Sequence, residues 1–216
     1  MGSDVSLEAV KRKVWIEYQY SGKDRMSDVL DSMQNFLSCL RDPSTETRKM
    51  LLMAADLVHD RLWIKDVTIG LKDPRDGKFK YEVMRGLKPA TWDAHKKIAY
   101  TFEQFSDANI YKPKDISKFT KLFLSEDNPY ANGEEQTYER PIMLKSRRRA
   151  LDDSIEGDYL DIYILGRNDE LIGWIETSGT VTNKLPDTST IKTIELLASL
   201  IGVALTHIYA GGSSRA

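Results

Sequence analysis

Two acidic side chains stand in stretches that are otherwise apolar. Asp161 lies within the run "YLDIYIL", Glu176 lies within "LIGWIET", and a short polar turn separates the runs. Each run alternates as a β-strand does, so the segment predicts a hairpin. Asp161 then shares a face with Tyr163, and Glu176 shares a face with Trp174 and Ile172. We predict ligand contacts from both acids, Tyr163 and Trp174, and the strand register decides whether the two sets face the same side.

A second group of candidates lies in the aromatic segment "TWDAHKKIAYTFEQFSDANIYKP". Aromatic walls with a few polar groups are typical of pockets for small molecules, and they are equally typical of a core. Its histidine can donate a hydrogen bond to a small molecule or ligate haem, or it can simply pack. The segment predicts ligand contacts from Trp92, His95, Tyr100, Phe102 and Tyr111.

The sequence excludes several kinds of chemistry. Cys39 is the one cysteine, so a disulfide within the chain, a cysteine-rich zinc site and a two-cysteine redox cycle are excluded. The three histidines are too scattered for a local metal motif, and there is no Gly-rich phosphate loop, HExxH segment or nucleophile elbow. We predict no catalytic residue and no metal ligand, and the residues assign no cofactor. An enzyme with dispersed acids, Asp66, Asp161 and Glu176, stays open as an alternative.

The charge balance argues against two classes of partner. The chain has 31 Lys and Arg and 33 Asp and Glu, so its net charge of −2 creates no field that would gather nucleic acid or anionic membrane. The basic cluster "KSRRRA" is followed at once by acidic residues. No apolar run approaches the roughly 20 residues that are needed to cross a bilayer. We expect no nucleic-acid partner, no membrane insertion and a cytoplasmic location.

The elements that must position these residues follow from the apolar periodicity. Helices are predicted over Leu7–Tyr18, from Asp24 to Leu40, and from Ser44 to Leu62. Pro186 precedes a last helix that is apolar over more than half of its surface, which indicates burial on two sides.

The middle of the chain predicts strands joined by a helical crossover. Residues 63–73 and 79–86 alternate as an antiparallel hairpin in which Phe79, Tyr81 and Val83 share one face. Helices are predicted from Pro89 to Ile98 and over Asp115–Ser125, and "RPIML" is a candidate strand. This order of elements favours an α+β fold around one mostly antiparallel sheet.

The hairpin and the helix after it resemble a known family. "YLDIYILGRNDELIGWIETSGTVTNKLPDTSTIKTIELLASLIGVAL" resembles the C-terminal half of GAF domains, with their strand, turn, "IG" strand, loop and helix. "LWIKDVTIGLKD" and "FKYEVMRG" resemble that family's first hairpin, with Gly86 at its usual glycine. The resemblance implies a central antiparallel sheet of five or six strands with helices from both chain ends on one face. On the other face it implies a helical crossover over a pocket, when one exists.

The resemblance also implies a function and a division of the chain. Residues 44–210 would form a sensory domain, 1–43 a helical extension and 211–216 a tail. Such a domain binds a small molecule, forms a homodimer through its terminal helices and relays a signal to an output domain such as a histidine kinase or transcriptional regulator. The alternative is a structural dimerisation module without a ligand.

Two specialised branches of the family fit this sequence poorly. The cyclic-nucleotide signature Asn-Lys-x-Phe-Asp is absent, and members that reduce free methionine sulfoxide need several cysteines. Cys39 is alone and lies outside the matched region, and a buried small side chain describes it better than a bilin attachment site.

Overall fold

The structure is a computed structural model that describes residues 6–20, 25–42, 44–107, 111–127 and 134–212. Its helices are α1 (Leu7–Tyr20), α2 (Arg25–Leu40), α3 (Thr47–Asp56), α4 (Pro89–His95), α5 (Phe102–Ser106), α6 (Arg140–Lys145) and α7 (Thr188–Gly212). Its strands are β1 (Val67–Lys72), β2 (Phe79–Arg85), β3 (Ala99–Tyr100), β4 (Lys114–Asp115), β5 (Thr120–Phe123), β6 (Tyr159–Leu165) and β7 (Leu171–Thr177). A π-helical turn, Leu57–Arg61, continues α3.

The strands form one antiparallel sheet in the order β3-β2-β1-β7-β6-β5-β4. The hairpins β1–β2 and β6–β7 meet at its centre, where β1 pairs with β7. The α+β prediction is confirmed, and the sheet has seven strands where five or six were expected. The edge strands β3 and β4 have only two residues each, which is too short for a period of two to be recognised in sequence.

The helices α2, α3 and α7 cover one face of this sheet, as predicted. Ile69, Ile162 and Ile175 lie at the centre of that face and are at most 1% exposed. At Gly202, α7 comes so near the sheet that a Cβ would lie 2.2 Å from the carbonyl oxygen of Leu165. The helical side chains in this core include Val29, Met33, Phe36, Leu51, Ala54, Ala55, Ile194, Leu197, Ala198 and Ile201.

A β-bulge in β2 changes which of its residues face the helices. Gly70 pairs with Tyr81, whereas the residue before Gly70 pairs with Val83, so Glu82 is the extra residue. A bulge reverses the alternation of side chains beyond it. Val83 therefore joins the helix-side core, while Tyr81 and Phe79 face the opposite side. The prediction that these three side chains share one face is wrong for Val83.

In two segments of the crossover the secondary structure differs from the one that the sequence predicted. Asp115–Ser125, predicted as a helix, contains the end of β4, a turn and β5, because pairing of β5 with β6 outweighs a helical period in so short a segment. "RPIML", predicted as a strand, begins α6, where proline suits the first turn. The helix at Pro89 ends at His95, before the expected Ile98.

The last helix, α7, is apolar on more than one face. Residues 188–208 are long and apolar enough to cross a membrane by length and composition alone. One face packs on the sheet, which is typical of a core helix. On the other side Leu196 and Val203 are more than half exposed. Within a single chain α7 is thus buried on one side, whereas the sequence predicted burial on two sides.

We expect Gly70→Ala to destabilise the domain by about 1–3 kcal/mol, because it overpacks the buried ring of Trp174. A Cβ at position 70 would lie 2.1 Å from the nearest atom of that ring. Urea denaturation measures the cost, and Trp174→Leu provides the background for a double-mutant cycle. Gly70→Ala should cost clearly less in that background. An equal cost in both backgrounds would show that the ring is not the cause.

Candidate ligand site

The register of β6 and β7 places the polar residues of the hairpin on one face. Asp161 pairs with Glu176, and Tyr163 pairs with Trp174. Direct partners in an antiparallel pair project from the same face, which here is the face away from the terminal helices. Ile172 lies at a bulge and packs against the helix-side core, so the prediction that it shares the face of Trp174 and Glu176 is wrong.

These side chains border a small space that we call the inner cavity. Its described lining contains three acidic residues, Glu134, Asp161 and Glu176, and neither lysine nor arginine. The centre of a water molecule can occupy a volume of about 30 Å³ in this cavity. This is enough space for one or two waters or for a head group of a few atoms. The other lining residues are Tyr81, Tyr100, Phe105, Tyr111, Phe123, Tyr138, Tyr159 and Trp174.

Aromatic side chains from the sheet and the crossover fill the space beside this cavity. The ring of Phe105, on α5, lies 5.4 Å from that of Phe79 and 5.2 Å from that of Trp174, measured between ring centres. Tyr81 lies 5.0 Å from Trp174. Pockets for drug-sized ligands measure roughly 300–1,000 Å³, so the inner cavity suits a small group and leaves no room for a large chromophore.

Two tyrosines of the crossover hold Glu134 at the inner cavity. Glu134 is 6% exposed, and the hydroxyls of Tyr100 and Tyr111 each donate a hydrogen bond of 2.6 Å to its Oε1. Burial, and then the neighbouring glutamate, raise the pKa of both phenols, so both remain protonated donors. The contact joins β3 and the segment before β4 to the loop before α6.

Asp161 and Glu176 share an unfavourable environment. Asp161 is 6% exposed, and its Oδ1 has no hydrogen-bond partner among the described residues. Burial, and then the charge of Glu176, raise the pKa of Asp161 well above its usual range, against an opposing effect of Lys121. Burial also raises the pKa of Glu176, against the effects of His95 and of the Tyr81 hydroxyl, which donates to Oε2 at 2.9 Å. The pair therefore retains a proton at pH values where exposed carboxyls are ionised.

A second space, the outer cleft, borders the inner cavity and shares Tyr138, Tyr159 and Glu176 with it. About 80 Å³ of it is open to the centre of a water molecule. His95 lies in its wall with Nε2 3.9 Å from Glu176 Oε1 and Nδ1 2.8 Å from the carbonyl oxygen of Thr91. Because a carbonyl only accepts, Nδ1 carries a hydrogen and Nε2 faces the glutamate.

Asp66 lies apart from the acidic residues of the inner cavity. It lines the outer cleft, where the Ser178 hydroxyl donates to its Oδ2 at 3.1 Å. Of the three acids considered for an enzyme, Asp161 and Glu176 therefore line the inner cavity, and Asp66 does not. Glu134 is the third acid of the inner cavity.

The structure brings together six of the nine residues predicted to contact a ligand. Trp92 is half-buried beside Lys96, Phe102 is 54% exposed, and Tyr163 packs on Phe105, and none of these predicted residues lines either space. The six that line the inner cavity or the outer cleft are His95, Tyr100, Tyr111, Asp161, Trp174 and Glu176.

Several lining residues were not predicted from the sequence. Tyr81 was grouped with Val83, which faces the helices, because nothing in the sequence marks the bulge at Glu82. Glu134 and Tyr138 lie in a polar segment without periodicity, so no pattern points to them. Tyr159 stands two residues before Asp161 on the same strand, and alternation alone was a sufficient signal for it.

We expect Asp161→Asn to stabilise the empty domain increasingly as the pH rises above about 4. The folded state holds a proton on Asp161 that the unfolded chain releases, so the wild type loses stability between the ordinary pKa and the raised one. Asparagine has no such proton. The difference in free energy of unfolding should grow by up to about 1.4 kcal/mol per pH unit within that window.

Urea denaturation across this pH range measures the difference. Asp169→Asn, at an exposed position in the β6–β7 turn, is the matched control and should show no comparable trend. A difference for Asp161→Asn that is independent of pH would contradict the raised pKa.

No protein-family model matches the sequence, and no curated protein does. Solved structures do match. A GAF domain/HD domain protein from Geobacter sulfurreducens is 10% identical, with a TM-score of 0.56 over 77% of this chain and 95% of that one. The GAF domain of a phosphoenolpyruvate-protein phosphotransferase from Coxiella burnetii is 14% identical, with a TM-score of 0.54 over 88% and 99%.

An enzyme is also among the similar structures. The free methionine-R-sulfoxide reductase from Neisseria meningitidis is 12% identical, with a TM-score of 0.54 over 90% of this chain and 97% of that one. At such low identity the likeness concerns the arrangement of the backbone and not the chemistry of the site. The backbone of this chain matches these structures over most of its length, and the chain has the fold of GAF domains.

Proposed function

We propose that the domain is a sensory module in which a small molecule binds at the inner cavity and the outer cleft. The observation that carries the proposal is Asp161, a buried carboxyl beside a cavity with one oxygen that has no partner among the described residues. Leaving such a group unsatisfied costs about 1–3 kcal/mol. A bound molecule that forms a hydrogen bond with this oxygen would remove that cost.

The sheet offers a direct route from this site to the terminal helices. Asp161 stands between Leu160 and Ile162, which point to the opposite face and pack in the core beneath α7. Beside them, the Thr120 hydroxyl of β5 donates to Glu195 of α7 at 2.6 Å. A ligand that moves β6 would therefore shift the packing of α7, which is how a ligand biases one conformation over another.

The terminal helices also expose apolar surface that a second copy of the chain would cover. Leu30 on α2 and Leu196 and Val203 on α7 are each more than half exposed. A groove of about 630 Å³ runs between the ends of these helices, lined in part by Leu37 and Ile208. We place the homodimer interface on this surface, where a change in helix packing would reach the partner.

The module would pass this change to an attached output domain, such as a histidine kinase or transcriptional regulator. Two of the similar structures are GAF domains of proteins with another named part, an HD domain and a phosphotransferase. A cytoplasmic location and a non-enzymatic role complete the proposal.

We expect the double variant Leu30→Gln, Leu37→Gln to shift the protein from dimer toward monomer, since it removes apolar contacts from the proposed interface. Light scattering during size-exclusion chromatography measures the mass against the 24.7 kDa of one chain. Leu151→Gln, at a leucine that is 98% exposed and remote from these helices in sequence, is the control and should leave the dimer intact. A dimer unaffected by the double variant would exclude this interface.

Native mass spectrometry and an absorption spectrum of freshly purified protein test for the ligand itself. We expect a bound small molecule that Asp161→Asn releases and that Asp169→Asn retains. The ligand-free alternative gains support if no molecule is retained and if no cationic, neutral or anionic compound raises the melting temperature.

One observation favours an enzyme as a second candidate. Asp161 and Glu176 lie in one cavity with raised pKa values, as carboxyls that exchange protons with a substrate do. Prolonged incubation with the identified molecule distinguishes the two functions. A sensor returns the molecule unchanged, whereas an enzyme converts it.

A further inference from the structure

We propose that the inner cavity binds the ammonium group of a small primary amine, which donates hydrogen bonds to Asp161 and Glu176. This inference rests on the proposed function and specifies the chemical class of its ligand. The inner cavity holds the head group, and the outer cleft holds the alkyl part.

The charges around the inner cavity select a cation. Its described lining contributes Glu134, Asp161 and Glu176 and no lysine or arginine. Lys121 pairs with Asp161 across the strands, but its Nζ lies over the ring of Tyr163, 5.7 Å from the ring centre. It makes no hydrogen bond to Asp161 Oδ1, which has no partner among the described residues. An anionic ligand would add a like charge beside three acids in a site of low dielectric, which is costly.

Three of the tyrosine hydroxyls that line the cavity already donate to other acids, and Asp161 Oδ1 has no donor among the described residues. The hydroxyl of Tyr81 donates to Glu176, and those of Tyr100 and Tyr111 donate to Glu134. These three hydrogens are thus already used. A primary ammonium group brings three N–H donors and a positive charge, so it satisfies Asp161 and gains from the surrounding aromatic rings.

The size and geometry of the site favour a primary amine over other cations. About 30 Å³ in the inner cavity accommodates an ammonium group and its first methylene, whereas a quaternary ammonium is bulkier and has no N–H to donate. Across the ranges that the structure describes, no three His, Cys, Asp or Glu are placed to hold one metal ion. The outer cleft, reached past Tyr138 and Glu176, offers about 80 Å³ more for the alkyl part.

Binding of such a cation should release a proton from the site. In the empty domain Asp161 and Glu176 retain a proton, and a cation between them favours the ionised pair. The other charged or titratable groups that face this pair are Glu134, Lys121, His95 and the tyrosine hydroxyls. Affinity should therefore rise with pH as the pair loses its proton.

Isothermal titration calorimetry with n-butylammonium chloride tests the inference directly, with sodium chloride at equal ionic strength as the blank. The neutral probe n-butanol and the anionic probe butyrate have similar alkyl chains. We expect n-butylammonium to bind at least about tenfold more tightly than n-butanol, because hydrogen bonds to charged groups are the stronger kind. Butyrate should not bind. Titrations in two buffers that differ in ionisation enthalpy should show a proton released on binding.

Asp161→Asn should weaken n-butylammonium binding by about tenfold or more, while Asp169→Asn leaves it unchanged. If Asp161→Asn does not fold, as circular dichroism would show, Glu176→Gln replaces it, since its amide oxygen can still accept from Tyr81. Equal binding by wild type and folded cavity variants would overturn the inference.

The results separate this inference from the proposed function. If n-butylammonium fails to bind but a neutral or anionic compound binds, and if that binding depends on Asp161, the domain is a ligand sensor. The proposal that its ligand is a cation is then wrong. If compounds of all three charge classes fail to bind, both proposals are wrong.

Discussion

The pairing of β6 with β7 is the constraint on which the rest of the structure depends. It sets Ile162 opposite Ile175 under the helices and Asp161 opposite Glu176 on the other face. Because side chains alternate along a strand, a slip of β6 by one residue against β7 would place Asp161 in the helix-side core and Ile162 in the cavity. The outer edges of the hairpin pair with β1 and β5, so the register is held from both sides.

The two faces of this sheet have opposite energetic characters. The helix side buries branched and small side chains at close range, with α7 nearly touching the backbone of β6 at Gly202. The cavity side buries carboxyls whose pKa values are raised, and it leaves Asp161 Oδ1 without a partner among the described residues. The helix-side core supplies the stability that offsets the cost of burying these carboxyls on the cavity side.

The likeness to GAF domains concerns the backbone and does not identify the groups at the site. Structures that are 10–14% identical share the backbone arrangement with this chain. What the cavity side of the sheet binds is decided by its own side chains. Here they combine three acids with tyrosines, three of whose hydroxyls donate to two of those acids, and this combination supports the proposed cationic ligand.

The sequence by itself determined the elements whose period is long and regular: the hairpin around Asp161 and Glu176, the strand at Ile69, and the helices on the covered face. Alternation also placed Asp161 with Tyr163, and Glu176 with Trp174, within their own strands. These are local properties, because one chain segment carries the whole pattern.

Only the tertiary structure decided how the segments meet. The register joined the two acids, the bulge at Glu82 turned Tyr81 into the cavity, and pairing with β6 made a strand of residues 120–123. Glu134 reached the site through hydrogen bonds from Tyr100 and Tyr111, which lie more than 20 residues away in sequence. Each of these outcomes depends on contacts between distant segments, and no local period in the sequence records such contacts.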